Sequence, residues 1–111
     1  MSRERERGGP GSPPLPLVWT LRALANLETI SDFIERDNPR AAEHWFTLLA
    51  SKADSIPDMP FRGRIVPEYR REDVRELVLR NYRMVYRIRV ERIEILTVFE
   101  AHREIPLELD D

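Results

Sequence analysis

Hydrophobic and polar positions alternate most regularly between residues 74 and 99. Three short apolar runs lie there, at Val74–Leu79, 82–89 and 93–99. Each is rich in Val, Ile, Leu, Tyr and Phe, which suit a pleated, half-buried surface. Arg80-Asn81 and residues 90–92 are short enough for tight hairpin connections. The pattern predicts a three-stranded antiparallel meander. The period of two then assigns faces. Leu77 and Leu79, Tyr82, Met84, Tyr86 and Ile88, and Ile93, Ile95, Thr97 and Phe99 are expected on a core face. Glu76, Val78, Arg83, Val85, Arg87, Arg89, Glu94, Leu96 and Val98 are expected on the other. That second face mixes arginines with apolar residues, and a sheet face of this kind often meets a partner.

Upstream the period becomes helical. Residues 17–20, LVWT, predict a short strand, with Thr20 placed to cap a helix. Leu24, Leu27, Ile30 and Ile34 recur at helical spacing over residues 21–35, with Phe33 beside them. Asp37-Asn38-Pro39 ends that helix and starts the next, Asn38 as cap and Pro39 at the first helical position. The second helix is expected to reach about Ile56, burying Ala42, Trp45, Phe46, Leu49, Ala53 and Ile56. His44 lies off that stripe. Pro57, Pro60, Gly63 and Pro67 mark a looped crossover, with residues 64–66 a short extended piece. The order β-α-α-β-β-β predicts a two-layer α+β fold, a helical hairpin packed on one face of a small antiparallel sheet. Trp45, Leu49, Leu77, Tyr86 and Ile95 are expected in one core. Residues 1–16, rich in Pro and Gly with little to bury, read as a disordered extension. Residues 17–106 read as the single domain and 107–111 as an acidic tail.

Charge narrows the chemistry. Of 111 residues, 34% are charged and the net charge is −2, which argues against a strongly basic nucleic-acid binder. The distribution is uneven: residues 62–103 hold 11 arginines against 7 acidic residues. Arginine makes planar paired hydrogen bonds with phosphate or carboxylate, so RNA and an acidic protein partner both remain open. A solvated sheet edge guarded by charge accounts for individual arginines as well. There is no cysteine, and the two histidines, His44 and His102, lie far apart in sequence, so no disulfide, metal site or cofactor is expected. No apolar run has the length of a membrane span, and a signal-peptide core is missing, so a soluble cytoplasmic protein is expected. Neither a Gly-rich phosphate loop nor a marked nucleophile occurs. Glu68, Glu72, Asp73 and Glu76 offer acid–base pairs, or simply a solvated loop. Arg83 and Arg87 on the mixed face, with His102 and Arg103 just after the last strand, are the residues best suited to phosphate chemistry or to a carboxylate partner.

Five motifs then stand in one order: Asn38-Pro39-x-Ala41-Ala42, Gly63-Arg64-x-x-Pro67-Glu68, Arg75-Glu76-Leu77, Asn81-Tyr82-Arg83-x-Val85-Tyr86, and Ile95-Leu96-x-Val98 followed by Arg103. Over residues 17–106 this resembles the RelE/ParE superfamily of bacterial type II toxins. The resemblance implies a toxin neutralised by a cognate antitoxin, whose DNA-binding part gives the complex its only hold on DNA. It also implies one of two targets. RelE-like members cleave mRNA on the ribosome, and ParE-like members inhibit DNA gyrase. Arg83 matches the family's central-strand arginine and Arg103 the one after the last strand. The lysines of the RelE cleavage set fall on Glu76 and Val78, and its C-terminal tyrosine falls near Leu109. His102 stands where some relatives carry an acid–base histidine. If the chain is a nuclease, Arg83, His102 and Arg103 are the candidate catalytic residues. The missing lysines lean the resemblance toward ParE, although Glu100 replaces a histidine often found there. Arg83, Val85, Arg87, Leu96, Val98 and Arg103 are then the expected binding surface for antitoxin or target.

Overall fold

The computed structural model describes residues 13–109. It opens with β1 (Leu17–Trp19), followed by α1 (Leu21–Asp37) and α2 (Pro39–Asp54). Thr20 fixes the start of α1. Its hydroxyl accepts the Ala23 N–H and donates to the Ile95 carbonyl at 2.8 Å, so one side chain caps the helix and ties it to the sheet. Asn38 alone connects the helices. Its Oδ1 accepts the Arg40 and Ala41 N–H groups while Pro39 fills the first position of α2. Two 3-10 turns, Ile56–Asp58 and Pro60–Arg62, lead to β2 (Arg64–Ile65), β3 (Val74–Leu79), β4 (Tyr82–Ile88) and β5 (Ile93–Glu100).

The five strands stand in the order β1-β5-β4-β3-β2. The meander is antiparallel as expected, but β1 runs parallel to β5, Leu17 opposite Ile93 and Trp19 opposite Ile95, so the sheet is mixed. A three-residue run carries no pattern that fixes the direction of its neighbour. Both helices pack on one face of the sheet. Trp45, Leu49, Tyr86 and Ile95 are buried there together with Leu77 at the margin, and Trp45 meets Tyr82 edge-on at 5.3 Å. In α1 the line that faces the sheet is Ala23–Leu27–Ile30–Ile34; Leu24 and Phe33 lie to its sides and are largely exposed. Phe46 is exposed too, about 100° round the helix from Trp45.

The second departure is a bulge. Tyr86 pairs with Ile95 and Val85 with Thr97, which leaves Leu96 without a partner in β4. Thr97 still reaches Asn26 of α1, and one extra residue reverses the sidedness of the residues beyond it. Val98 therefore turns into the helix-side core, and Phe99 turns to the opposite face, the reverse of their expected positions. On that opposite face Val66, Val74, Val85 and Phe99 form a second buried cluster, flanked by Tyr69, Leu96, Ile105 and Leu109. At the other end, residues 1–12 of the expected extension lie outside the described residues. Leu15 packs against the main core, and the Pro16 carbonyl accepts the Ile93 N–H at 2.9 Å.

Candidate functional site

Arg83 is the second residue of β4, the central strand of the sheet, and lies on the face away from the helices. Glu76 of β3 lies diagonally across the strand pair, within reach on the same face. The Arg83 Nε donates to Glu76 Oε1 at 2.6 Å, and its two terminal nitrogens donate to the two oxygens of Glu68 at 2.8 and 3.0 Å. The guanidinium also lies 4.9 Å above the Phe99 ring. The second Glu76 oxygen accepts from Arg64. Only 6% of Arg83 is exposed, and Glu76 is buried as well. The Arg83 hydrogen bonds hold the Glu68 carboxyl below the usual glutamate range, and the Glu68 and Glu76 partners hold Arg83 charged.

A second group repeats the arrangement. Arg87 donates to Asp73 at 3.2 Å, and Arg71 grips the same carboxylate with two nitrogens at 2.9 and 3.0 Å. Partial burial works to raise the Asp73 pKa, but the two guanidiniums outweigh it and the net direction is downward. The loop between β2 and β3 thus delivers both Glu68 and Asp73 to arginines of β4.

This arrangement corrects the expected open surface. Arg83, Val85, Arg87 and Val98 are buried, and Leu96 is half-buried. The loop carrying Val66 and Tyr69 folds over the mixed face, residues 105–109 fold beside it, and Val98 has turned to the helices. Three nitrogens of Arg83 are engaged by carboxylates, so it is a structural cation in this arrangement, with its donors already directed inward. Glu68 and Asp73 were readable as acidic loop residues, but their pairing depends on a loop path that alternation does not encode.

His102 and Arg103 occupy the turn after β5 and are exposed. Arg103 lines a groove of about 380 Å³ between α1 and the end of the β4–β5 pair. Arg22, Asn26, Phe33, Tyr82 and Glu100 line it as well. Tyr82 is raised above the ordinary tyrosine range by burial and by Glu100. The structure therefore separates Arg83 from Arg103: one lies beneath the far face of the sheet, the other on a groove bounded by a helix. Sequence reading did not find this groove, although Arg22, Asn26, Thr29 and Phe33 form a helical stripe at i, i+4, i+7 and i+11. Among the described residues no group of three or more His, Asp or Glu is placed to hold a metal ion, and no helix is long and apolar enough to cross a membrane.

Comparison with known proteins fits this architecture. The profile described as "ParE toxin of type II toxin-antitoxin system, parDE" matches residues 17–105. A candidate toxin of Sinorhizobium fredii, Y4kP, is 38% identical over 89 residues, covering 79% of this chain and 90% of that protein. Toxin RelE2 of Caulobacter vibrioides is 43% identical over 56 residues, half of this chain and 64% of that protein. A solved chain from the chromosomal ParDE system of P. aeruginosa superimposes with a TM-score of 0.65 at 22% identity, covering 79% of this chain and 97% of the other. With the two-helix layer, the mixed sheet and the match across residues 17–105, the chain belongs to the ParE toxin family of type II toxin–antitoxin systems.

Proposed function

We propose that this chain arrests growth by binding a protein target, DNA gyrase, in the cytoplasm, and that a cognate antitoxin neutralises it. In this reading DNA is met only through the antitoxin in the complex. The observation that carries it is the state of Arg83. A ribonuclease of the RelE type needs cations free to meet the scissile phosphate and its developing charge. Here the matching arginine is buried against Glu68 and Glu76, and Glu76 itself occupies a position where that cleavage set has lysine. The second reading, a ribosome-dependent mRNA endonuclease, draws on the similarity to toxin RelE2 and on the exposed pair His102-Arg103. The two differ in what stops first. After induction in a host lacking the antitoxin, labelled-precursor incorporation should show DNA synthesis falling before protein synthesis. The purified chain should inhibit supercoiling by gyrase. Early loss of protein synthesis with cleaved mRNA, abolished by His102→Ala or Arg103→Ala, would establish the nuclease reading instead.

A further inference from the structure

The groove between α1 and the end of the β4–β5 pair holds polar groups that the fold does not use. Tyr82 stands opposite Glu100 across the two strands, so both side chains project to the helix side at one end of the sheet. Only 7% of Tyr82 is exposed, yet its hydroxyl has no hydrogen-bond partner among the described residues. A buried hydroxyl left open in this way calls for an explanation, and a ligand that completes it is one. Burial, and then Glu100, raise its pKa, so it stays a donor at neutral pH. Asn26 lines the helix side of the groove. Its Oδ1 accepts the Thr97 hydroxyl at 2.8 Å and the Val98 N–H at 3.0 Å, which fixes the amide and leaves its NH2 group to donate elsewhere. Among the described residues the side chains of Glu100 and Arg103 make no hydrogen bond or ion pair, and Arg22 makes only a long contact of 3.4 Å to the Pro106 carbonyl. Phe33 adds an exposed ring to the helix wall.

The charges decide what can enter. A simple anion would meet the Glu100 carboxylate, and a simple cation would meet two guanidiniums. A ligand that fits carries an anion at one end and paired N–H donors at the other, on a flat body that can lie against Phe33. The volume of about 380 Å³ suits a small molecule. We propose that this groove is a binding site for a guanine nucleotide. The ring N–H and the exocyclic amino group of guanine donate side by side to Glu100. The guanine carbonyl accepts from the Tyr82 hydroxyl and the Asn26 amide. The base lies against the Phe33 ring, and the phosphate meets Arg22 and Arg103. Adenine carries an acceptor where guanine carries its ring N–H, so the carboxylate rejects it. This goes beyond the proposed function and does not rest on it, since neither gyrase nor an antitoxin takes part.

The test is calorimetric titration of the purified full chain with guanosine monophosphate, adenosine monophosphate and guanosine. Guanosine monophosphate should bind saturably, and adenosine monophosphate at least about tenfold more weakly. Glu100→Gln should erase most of that preference. Arg103→Ala should weaken both nucleotides by a similar factor and leave guanosine, which lacks the phosphate, unchanged. Failure of the parent chain to bind guanosine monophosphate saturably overturns the proposal, as does equal affinity for the two nucleotides. An unchanged preference in a Glu100→Gln variant that melts like the parent overturns it too. A guanine-containing RNA oligonucleotide that binds where the mononucleotide does not also overturns it, and assigns the groove to the nuclease reading instead. The comparison of bases needs the parent chain alone, so a variant that fails to fold leaves the proposal open to refutation.

Discussion

Trp45 and Gly63 show how much single positions decide. Trp45 is buried between the helices and the sheet, and its indole N–H has no hydrogen-bond partner among the described residues. Its contribution is therefore packing, reduced by an unmet donor. Trp45→Ala should cost about 3–5 kcal/mol. Trp45→Phe should cost much less, because it keeps an aromatic ring against Tyr82 and removes the orphan N–H. Urea midpoints of the two variants check this; equal losses would show that the indole donor is satisfied. Gly63 is constrained by approach. Its N–H donates to the Tyr86 hydroxyl at 3.1 Å, that hydroxyl donates to the Pro60 carbonyl at 2.6 Å, and a Cβ at Gly63 would come within 2.7 Å of the Glu76 carbonyl oxygen. Gly63→Ala should lower the melting temperature by several degrees, since it must push backbone or break the tyrosine bridge. The sequence showed Gly63 as a loop glycine and as the start of one motif, but not what it touches; its role depends on a tyrosine 23 residues away.

At the level of elements, the helices, the caps at Thr20 and Asn38 and the three long strands were all legible, because each is written in local spacing. The bulge at Leu96 was not. It leaves no mark in a run of β-formers, yet it exchanges Val98 and Phe99 between faces. The carboxylate partners of Arg83 and Arg87 were hidden for a related reason: strand alternation predicts direction, and cover comes from elsewhere in the chain. The consequence is measurable in the β3–β4 pair. Arg83→Met should destabilise by about 3–5 kcal/mol, because it leaves the Glu76 carboxylate buried with only Arg64 beside it. Arg83→Met combined with Glu76→Leu should recover much of that loss, since replacing both partners by apolar groups of similar volume removes the stranded charge. A double-mutant cycle in chemical denaturation measures the coupling. Additive losses would mean that the two residues act independently and that Arg83 is not held as described.

For the whole molecule, acid is the simplest probe of how the second face is closed. Glu68 and Asp73 both have carboxyl groups lowered in the folded state, Glu68 by its hydrogen bonds to Arg83, Asp73 by Arg71 and Arg87 against the opposing effect of burial. A carboxyl lowered on folding binds its proton more tightly in the unfolded chain. Its stabilisation is complete above the unfolded pKa, at about 4, and is lost as pH falls through the folded value. Glu94 is lowered as well, against its own burial, by Arg89 and Arg92, but both arginine side chains are about two-fifths exposed and such pairs add little. Stability should thus be nearly level from pH 7 to about 5 and fall steeply below about 4. The two carboxylates sit on one loop, which also supplies Val66 and Tyr69 to the second cluster. Protonation should therefore loosen the loop and the cover made by residues 105–109 before the helix-side core, which among the described residues contains no such pair. Amide hydrogen exchange at pH 7 and at about pH 4, expressed as protection relative to the unfolded chain, tests the order: protection should fall first at Val66, Tyr69 and Arg70, whose N–H groups are bonded in that loop, while α1 and α2 stay protected. Glu68→Gln with Asp73→Asn should show the fast exchange of that loop already at pH 7 and a shallower acid slope. Simultaneous exchange of both faces would mean that the two clusters form one cooperative unit and that the arginine–carboxylate pairs do not govern access to the second.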